Sequence, residues 1–308
     1  MTDDPISMLA YRRQAEAKRS PAGRVVVFAN EKGGAGKTTL ACLVATAMMY
    51  RGARVAVIDL DLRQQSMGRF FANRRRWLPA AGVKAPVPLE YKLAEDTVTL
   101  AEATPEEVVA RFNEAVRLAM ADTDLVIIDT PGGDSAVTRA AHLQADMVVS
   151  PMNDSFVDFD MLAVVDPLSL RLVRPSLYSR VVLDARRMRN EHGRKLDWIV
   201  VRNRMAATEA RNRRRLLEAL EQLGPQVGFR LGPTLGERVA YREMFPFGLT
   251  IADLSPGVRP TAMGAVRTAA REELRELLEA LRLVAPANPG LSAPPERPAA
   301  VQSEAQPA

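Results

Sequence analysis

Eight consecutive residues have the types and spacing needed to hold a chain of phosphates. They are Lys32, Gly33, Gly34, Ala35, Gly36, Lys37, Thr38 and Thr39. The glycines let successive backbone N–H groups turn inward without a Cβ in the way. The ammonium of Lys37 suits the β- and γ-phosphates of a nucleotide, and the hydroxyl of Thr38 suits Mg²⁺. The alternative is a glycine-rich turn with a chance lysine. It is disfavoured because an apolar run precedes the segment and a helical pattern follows it.

Carboxylates close two other apolar runs. Asp129 ends LVIID, and Gly132 and Gly133 follow it, so the next segment could move with a γ-phosphate. We expect Asp129 to act on Mg²⁺ through a water molecule. Asp59 and Asp61 lie two residues apart at the end of VAVIDLD, a spacing that directs both side chains to one side of a strand. Asp61 lies beyond the strand and is predicted to orient the attacking water; its alternative role is a helix cap or a turn.

Strands and helices that alternate along the chain must position these residues. Near-continuous apolar runs predict strands buried on both faces at 24–30, 54–59, 125–129, 147–151 and 197–203. Helical patterns lie at 37–51 and 64–78, and Thr104 with Glu107 predicts a capping box at the start of another helix. Strands joined by helices imply right-handed crossovers. The prediction is an α/β fold: a doubly wound, mostly parallel sheet flanked by helices, typical of P-loop NTPases.

This pattern occupies a single predicted domain, residues 23–284. Residues 1–22 are polar and without a sustained period, and we expect a disordered N-terminal arm. Residues 285–308 include six prolines, which predicts a Pro/Ala-rich disordered tail. Before this tail, Leu274, Leu277, Leu278 and Leu281 form one apolar helix face, and glutamates cover the rest of the helix. We expect this helix to pack on the domain, since a membrane-surface helix would favour lysine and arginine.

Cysteine and histidine usage excludes several chemistries. The single cysteine, Cys42, cannot form an internal disulfide, and with two histidines it cannot build a Cys/His zinc site or an iron–sulfur centre. We expect Cys42 to be buried in a helix, and His142 and His192 to be structural or surface residues. No run approaches the roughly 18 apolar residues of a membrane span, and no secretory pattern is present. A cytoplasmic location is expected.

The positive charge of the chain is concentrated in one segment. Residues 202–215 hold six arginines and one glutamate, a local charge of +5 that equals the net charge of the whole chain. Thr208 is predicted to cap a helix reaching about Leu223, with Arg211, Arg214 and Arg215 on one face. Because few base-reading side chains accompany them, we expect contacts to DNA phosphates without sequence preference. The alternative is a solvated basic face.

The first residue of the loop, Lys32, distinguishes this sequence from an ordinary P-loop. With it the motif resembles the deviant Walker A motif of the ParA/MinD class of ATPases. NEKGGAGKTT, VAVIDLDLRQ, IDTPGGDSAVTR, SPMNDSFVDFDML, RNRMAATEARNRRR and YREMFPFGLT together resemble a branch of that class that positions the cell division plane. The resemblance implies that Lys32 crosses a dimer interface to the partner's nucleotide, and that Asn203 contacts adenine. For Asn203 the alternative is a strand-end turn residue.

The resemblance also implies a cycle and a set of partners. An ATP- and Mg²⁺-dependent homodimer would bind chromosomal DNA, cooperate with a ParB-like centromere-binding protein and inhibit assembly of FtsZ, which implies association with the nucleoid. A generic ParA-type partitioning ATPase is the alternative within this class. Membrane cycling like that of MinD is disfavoured by the acidic last helix, and a metabolic ligase or kinase lacks a recognisable substrate constellation.

Overall fold

The computed structural model describes residues 23–94, 102–153, 156–166, 171–205, 210–237, 239–253, 258 and 268–283. The elements are β1 Arg24–Phe28, α1 Lys37–Tyr50, β2 Val55–Asp59, α2 Ser66–Ala80, β3 Leu89–Glu90, α3 Pro105–Asp122, β4 Leu125–Asp129, α4 Ala136–Gln144, β5 Met147–Met152, α5 Phe156–Phe159, β6 Ala163–Val165, β7 Leu172–Pro175, α6 Leu177–Glu191, β8 Asp197–Met205, α7 Ala210–Val227, β9 Arg230–Gly236, α8 Val239–Met244, a 3₁₀ turn Phe245–Phe247 and α9 Thr268–Ala280. The predicted arm and tail lie outside these ranges.

Seven strands form one sheet in the order β3-β2-β4-β1-β5-β8-β9, and every neighbouring pair is parallel. The predicted α/β fold is therefore confirmed. Parallel strands end at the same edge, so the carboxyl ends of β1, β2 and β4 lie side by side. The register pairs Asp129 with Phe28 on one side and with Asp59 on the other. A separate antiparallel pair, β6 and β7, adds a small second sheet.

Alternate residues of the central strand serve two separate apolar cores. Val26 and Phe28 pack with α1, α2 and α9, whereas Val25 and Val27 face α3, α4, α6 and α7 on the other side of the sheet. All four side chains are fully buried, which accounts for the near-continuous apolar run in β1. Cys42 is buried in α1, as predicted, and burial raises the pKa of its thiol.

Local signals predicted both ends of α1 to within one residue, but α7 continues to Val227, past its predicted end near Leu223. Thr104 and Glu107 form the predicted capping box at the start of α3. The second predicted helix is shifted: it begins at Ser66 instead of Gln64 and continues through Pro79 to Ala80. Only Ala80 follows Pro79 in this helix, so the proline lies in the last turn and not in the helix interior. Thr208, the predicted cap of α7, lies outside the described residues. The predicted apolar faces of α7 and α9 are confirmed by the burial of their leucines, Leu216, Leu220, Leu223, Leu274, Leu277 and Leu278.

A fully buried ion pair joins α2 to the C-terminal part of the domain. The Arg74 guanidinium donates two hydrogen bonds to the Asp253 carboxylate, of 2.8 and 3.0 Å, and neither side chain is exposed. The same guanidinium donates to the carbonyl oxygens of Pro86 and Gly248. Tyr50, at the end of α1, donates its hydroxyl to Asp253 at 2.7 Å. No helix in the described ranges has the length and apolar character to cross a bilayer.

Candidate functional site

The loop between β1 and α1 has the backbone geometry of a phosphate cradle. Gly34 and Gly36 both have positive φ angles, 77° and 94°, a conformation that favours glycine. The ammonium of Lys37 folds over the loop and donates to the carbonyl oxygen of Lys32 at 2.9 Å. Lys37 is buried, and burial lowers the pKa of its ammonium. A positive charge held in low-dielectric surroundings at a helix N-terminus is well placed for an anion.

A hydroxyl and a carboxylate meet beside Lys37. The Thr38 hydroxyl donates to Oδ2 of Asp129 at 2.5 Å. Asp129 is completely buried, and burial raises its pKa to about 8. Its other oxygen, Oδ1, is buried without a hydrogen-bond partner among the described residues. A divalent cation or its bound water would satisfy this oxygen and favour the ionised carboxylate, so the two residues fit a Mg²⁺ ion.

The two acidic residues after β2 have different surroundings. Asp59 accepts backbone N–H groups of Met67 and Gly68 through Oδ2, at 2.9 and 3.0 Å, and so supports the first turn of α2. Asp61 is half-buried, and its Oδ1 accepts the backbone N–H of Gln64 at 3.0 Å. This contact is the turn arrangement considered as the alternative for Asp61. It leaves the Asp61 Oδ2 for other contacts at the edge of the site.

Gly132 brings the segment after β4 close to the phosphate loop. A Cβ at this position would lie 3.3 Å from both the Glu31 carbonyl oxygen and the Gly33 backbone nitrogen. Any larger side chain would push the two segments apart. From the sequence we expected Gly132 to let the segment after β4 move. In the structure it also lets the backbone of that segment lie close to the backbone of the phosphate loop.

Lys32 lies at the rim of the loop and forms an ion pair within its own chain. Its Nζ lies 2.9 Å from Oδ1 of Asp158, and about a third of the Lys32 side chain is exposed. Asp158 is almost completely buried and also accepts the backbone N–H of Asn153 at 2.8 Å. We predicted no site residue in the segment SPMNDSFVDFDML, and the structure places one of its carboxylates, that of Asp158, against Lys32.

Asn203 and Arg204, near the end of β8, approach the loop from the other side. The Asn203 amide donates to the Ala35 carbonyl at 2.8 Å, and the Arg204 guanidinium donates to the Gly34 carbonyl at 2.6 Å. A cavity of about 290 Å³ lies beside them. Its lining includes Gly36, Thr39, Asn203, Arg204, Tyr241 and Phe245. Arg204, Tyr241 and Phe245 were not predicted as site residues, although Tyr241 and Phe245 belong to the segment YREMFPFGLT.

One arginine of the basic face of α7 pairs with a glutamate that we did not count in the sequence. Arg214 and Arg215 are exposed, as predicted, but Arg214 pairs with Glu218 one turn later at 2.8 Å. The charges were counted over residues 202–215, a range that ends before Glu218. An exposed pair of this kind contributes little and can be replaced by another anion. Arg211 lies in the same helix, and its side chain is outside the described part of the structure.

The parallel sheet, the glycine-rich loop and the Thr38–Asp129 contact form the fold and phosphate site of a P-loop NTPase, and the family and relatives below identify it as an ATPase of the ParA/MinD class. The chain belongs to the MipZ family, because the family model described as ATPase MipZ matches residues 24–285. Protein ParA of Rhizobium radiobacter is 26% identical over 261 residues, which cover 84% of this chain and 99% of that protein. The chromosome-partitioning ATPase Soj of Thermus thermophilus is 29% identical over 212 residues, 61% of this chain and 84% of Soj.

A solved structure supports the fold. A Cyanothece McdA variant in complex with ATP superposes with a TM-score of 0.54 and 16% identity, over 87% of this chain and all of that one. Taken with the family, these relatives establish an ATPase of the partitioning and positioning type.

Proposed function

We propose that this protein is an ATP-gated dimeric switch that binds DNA in its dimeric state and positions the cell division plane. The observation that carries the proposal is the position of Lys32, at the rim of a phosphate cradle in which Lys37 already occupies the interior. A second ammonium at the rim can reach the phosphates of a nucleotide bound to a facing copy of the chain. Bound ATP then holds two chains together, and hydrolysis releases them.

ATP is the proposed nucleotide, and the cavity beside Asn203 is the proposed base site. Its volume suits a purine, and Tyr241 and Phe245 supply aromatic surface against which a base can pack. The McdA variant of the same fold was solved with ATP. Asn203 lies between this cavity and the loop, so it can serve the base while supporting the Ala35 carbonyl. The domain carrying this activity is proposed to span residues 23–284.

Mg²⁺ is proposed to bind at Thr38, with Asp129 acting through a water molecule. The ion would neutralise charge between the β- and γ-phosphates. Asp61 is proposed to orient the attacking water through the carboxylate oxygen that Gln64 does not use. Catalysis then consists of positioning and of charge stabilisation by Lys37.

Thr38→Ala should remove the Mg²⁺-dependent part of ATP affinity, because the variant keeps the loop but loses the ligand oxygen. We expect ATP to bind about tenfold more weakly in the presence of Mg²⁺, the effect of one good polar contact, and nearly unchanged in EDTA. Titration calorimetry in both buffers measures this difference. Thr38→Ser keeps the hydroxyl and serves as the control. Equal loss in both buffers would contradict the assignment of the metal.

DNA binding is proposed for the exposed arginine face of α7. Arg211, Arg214 and Arg215 would contact phosphates, with about six contacts per dimer and three per monomer. Dimerisation doubles the contacts, which is how bound ATP would raise the affinity for DNA. A DNA phosphate would replace the exposed contact of Arg214 with Glu218 at little cost.

Replacing Arg211, Arg214 and Arg215 together by alanine is expected to abolish binding of the ATP-bound dimer to a DNA duplex. For six contacts the logarithm of affinity should fall with the logarithm of salt concentration with a slope of about −5, and the slope should approach zero in the variant. Fluorescence anisotropy at several salt concentrations measures both. The matched control replaces Arg174, Arg180 and Arg187, three exposed arginines elsewhere on the surface. An equal effect of both triple variants would mean that only net charge matters.

Cooperation with a ParB-like protein and inhibition of FtsZ assembly are proposed from membership of the MipZ family. Gel filtration with ADP, with a non-hydrolysable ATP analogue, and with the analogue plus a DNA duplex tests the switch: ADP should leave a monomer, the analogue should give a dimer, and the duplex should elute together with that dimer. An FtsZ assembly assay then separates this function from that of a generic partitioning ATPase, which would leave assembly unchanged. A protein that stays monomeric with saturating analogue and Mg²⁺ contradicts the proposal.

A further inference from the structure

Two neighbouring residues of β8 both reach the phosphate loop, which a regular strand would not allow. Neighbouring side chains of a strand point to opposite faces of the sheet. Arg204 departs from this rule because its φ angle is +58°, in the left-handed region. That conformation is unfavourable for a residue with a Cβ and persists only where the surroundings hold it. Here it turns the guanidinium towards the same loop that Asn203 contacts.

The side chains of both residues hold carbonyl groups of the loop. Arg204 Nη1 donates to the Gly34 oxygen at 2.6 Å, and Asn203 Nδ2 donates to the Ala35 oxygen at 2.8 Å. In a planar trans peptide the C=O and the following N–H point in opposite directions. The first contact therefore turns the N–H of Ala35 away from β8, and the second does the same for the N–H of Gly36.

Asn203 leaves little freedom for this part of the loop. A Cβ at Gly36 would lie 2.1 Å from the Asn203 amide nitrogen, so only glycine fits between the strand and the loop. Arg204 is different because its guanidinium is exposed and its contact is charge-assisted. The orientation of the peptide between Gly34 and Ala35 thus depends on one side chain at the surface of the site, that of Arg204.

We propose that Arg204 is a positioning residue for phosphate binding. It fixes the peptide between Gly34 and Ala35 so that the Ala35 N–H is aimed at phosphate oxygens before the nucleotide binds. Donors that are already oriented need no reorganisation when the anion arrives, which strengthens binding. The inference rests on the phosphate site proposed above, and it assigns Arg204 to the loop and not to the base.

The test compares Arg204→Ala with Arg204→Gly in calorimetric titrations with MgADP and with inorganic pyrophosphate. Pyrophosphate has no base, so its affinity reports on the cradle alone. Both variants should bind both ligands about tenfold more weakly, the effect of losing one charge-assisted hydrogen bond. Glycine adopts a φ of +58° without strain, so equal losses assign the effect to the guanidinium. Arg51→Ala removes an equal charge at the far end of α1 and should bind as the wild type does.

Chemical denaturation separates positioning from a structural role. Arg204→Gly should be at least as stable as Arg204→Ala, while its affinity remains as low. Wild-type affinity in Arg204→Gly would assign the effect to backbone strain and overturn the inference. Weaker ADP binding with unchanged pyrophosphate binding would place Arg204 at the base and overturn it as well. If the wild-type protein binds neither ligand, the phosphate site itself is wrong; if Arg204→Ala binds both normally, only the inference fails.

Discussion

The Lys32→Ala variant is expected to remain monomeric with bound ATP, whereas Asp61→Ala is expected to accumulate as a dimer. In a symmetric dimer each Lys32 would contact the partner's phosphates, so the variant loses two charged contacts. A contact between a charged group and its partner contributes about 1.5–3 kcal/mol, and two of them weaken dimerisation by at least about 100-fold. Light scattering across a range of protein concentrations, with a non-hydrolysable ATP analogue, measures this change.

The ion pair with Asp158 sets a limit on this effect. In a single chain Lys32 lies 2.9 Å from Asp158, so dimerisation has to exchange that partner for a phosphate. At 4 Å and an effective dielectric constant of 20, the attraction to one unit charge is roughly 4 kcal/mol, and two or more phosphate charges compete favourably with one carboxylate. Lys84→Ala, which removes an exposed lysine away from the loop, is the matched control.

Asp61→Ala should act on the opposite step of the cycle. A positioned group that assists proton transfer or orients water commonly contributes 10²–10⁴-fold, so we expect ATP turnover to fall by about 100-fold or more. The dimer should then persist with ATP itself, not only with the analogue. Two variants that dimerise to the same extent would refute the division of roles between Lys32 and Asp61.

The second large effect is expected for the stability of the fold. Asp253→Ala removes one partner of a fully buried ion pair and leaves the Arg74 guanidinium without its carboxylate. Breaking such a pair from one side costs about 3–5 kcal/mol, a large part of the stability of an ordinary domain. Urea denaturation should show a much lower midpoint. The double variant Arg74→Met with Asp253→Leu should recover only part of the loss: no unpaired charge remains buried, but the Pro86 and Gly248 carbonyl groups, the Tyr50 hydroxyl and the Thr250 N–H lose their partners.

An exposed ion pair provides the comparison. Arg117 and Glu114 pair on the surface of α3, one turn apart, and both side chains are more than half exposed. Glu114→Ala should leave the urea midpoint unchanged, because water replaces the lost partner. If Asp253→Ala is as mild as this control, the buried network does not hold α2 to the rest of the domain.

Much of this protein could be predicted from its sequence because the signals are local. The phosphate loop, Thr38 and the helix that follows lie within one stretch of the chain, and the capping box of α3 needs only Thr104 and Glu107. Strands buried on both faces appear as apolar runs, which was enough to predict a parallel sheet. The common edge of that sheet then brings Asp129 to Thr38 across 91 residues of sequence.

The remaining features were decided by the tertiary structure. Arg74 and Asp253 are 179 residues apart, and neither has a neighbour in sequence that indicates burial or pairing. The residues around Gly248 in the sequence do not indicate a packing contact either, yet a Cβ at Gly248 would lie 2.2 Å from the Arg74 backbone nitrogen. The contact of Arg204 with Gly34 depends on one left-handed residue, which lies just beyond the predicted strand 197–203 but inside the observed one.

Glu218 and Asp158 show the same limit at the charged surfaces. The charge count located a basic segment, but its range ended before Glu218, the partner of Arg214. Nothing near Lys32 in the sequence indicates that its partner is a carboxylate 126 residues away. The residue types and short spacings of this chain determine which chemistry it can perform. Which side chains hold that chemistry in place depends on pairs that meet only after folding, because a hydrogen bond or an ion pair is set by distance in space and leaves no periodic trace along the chain.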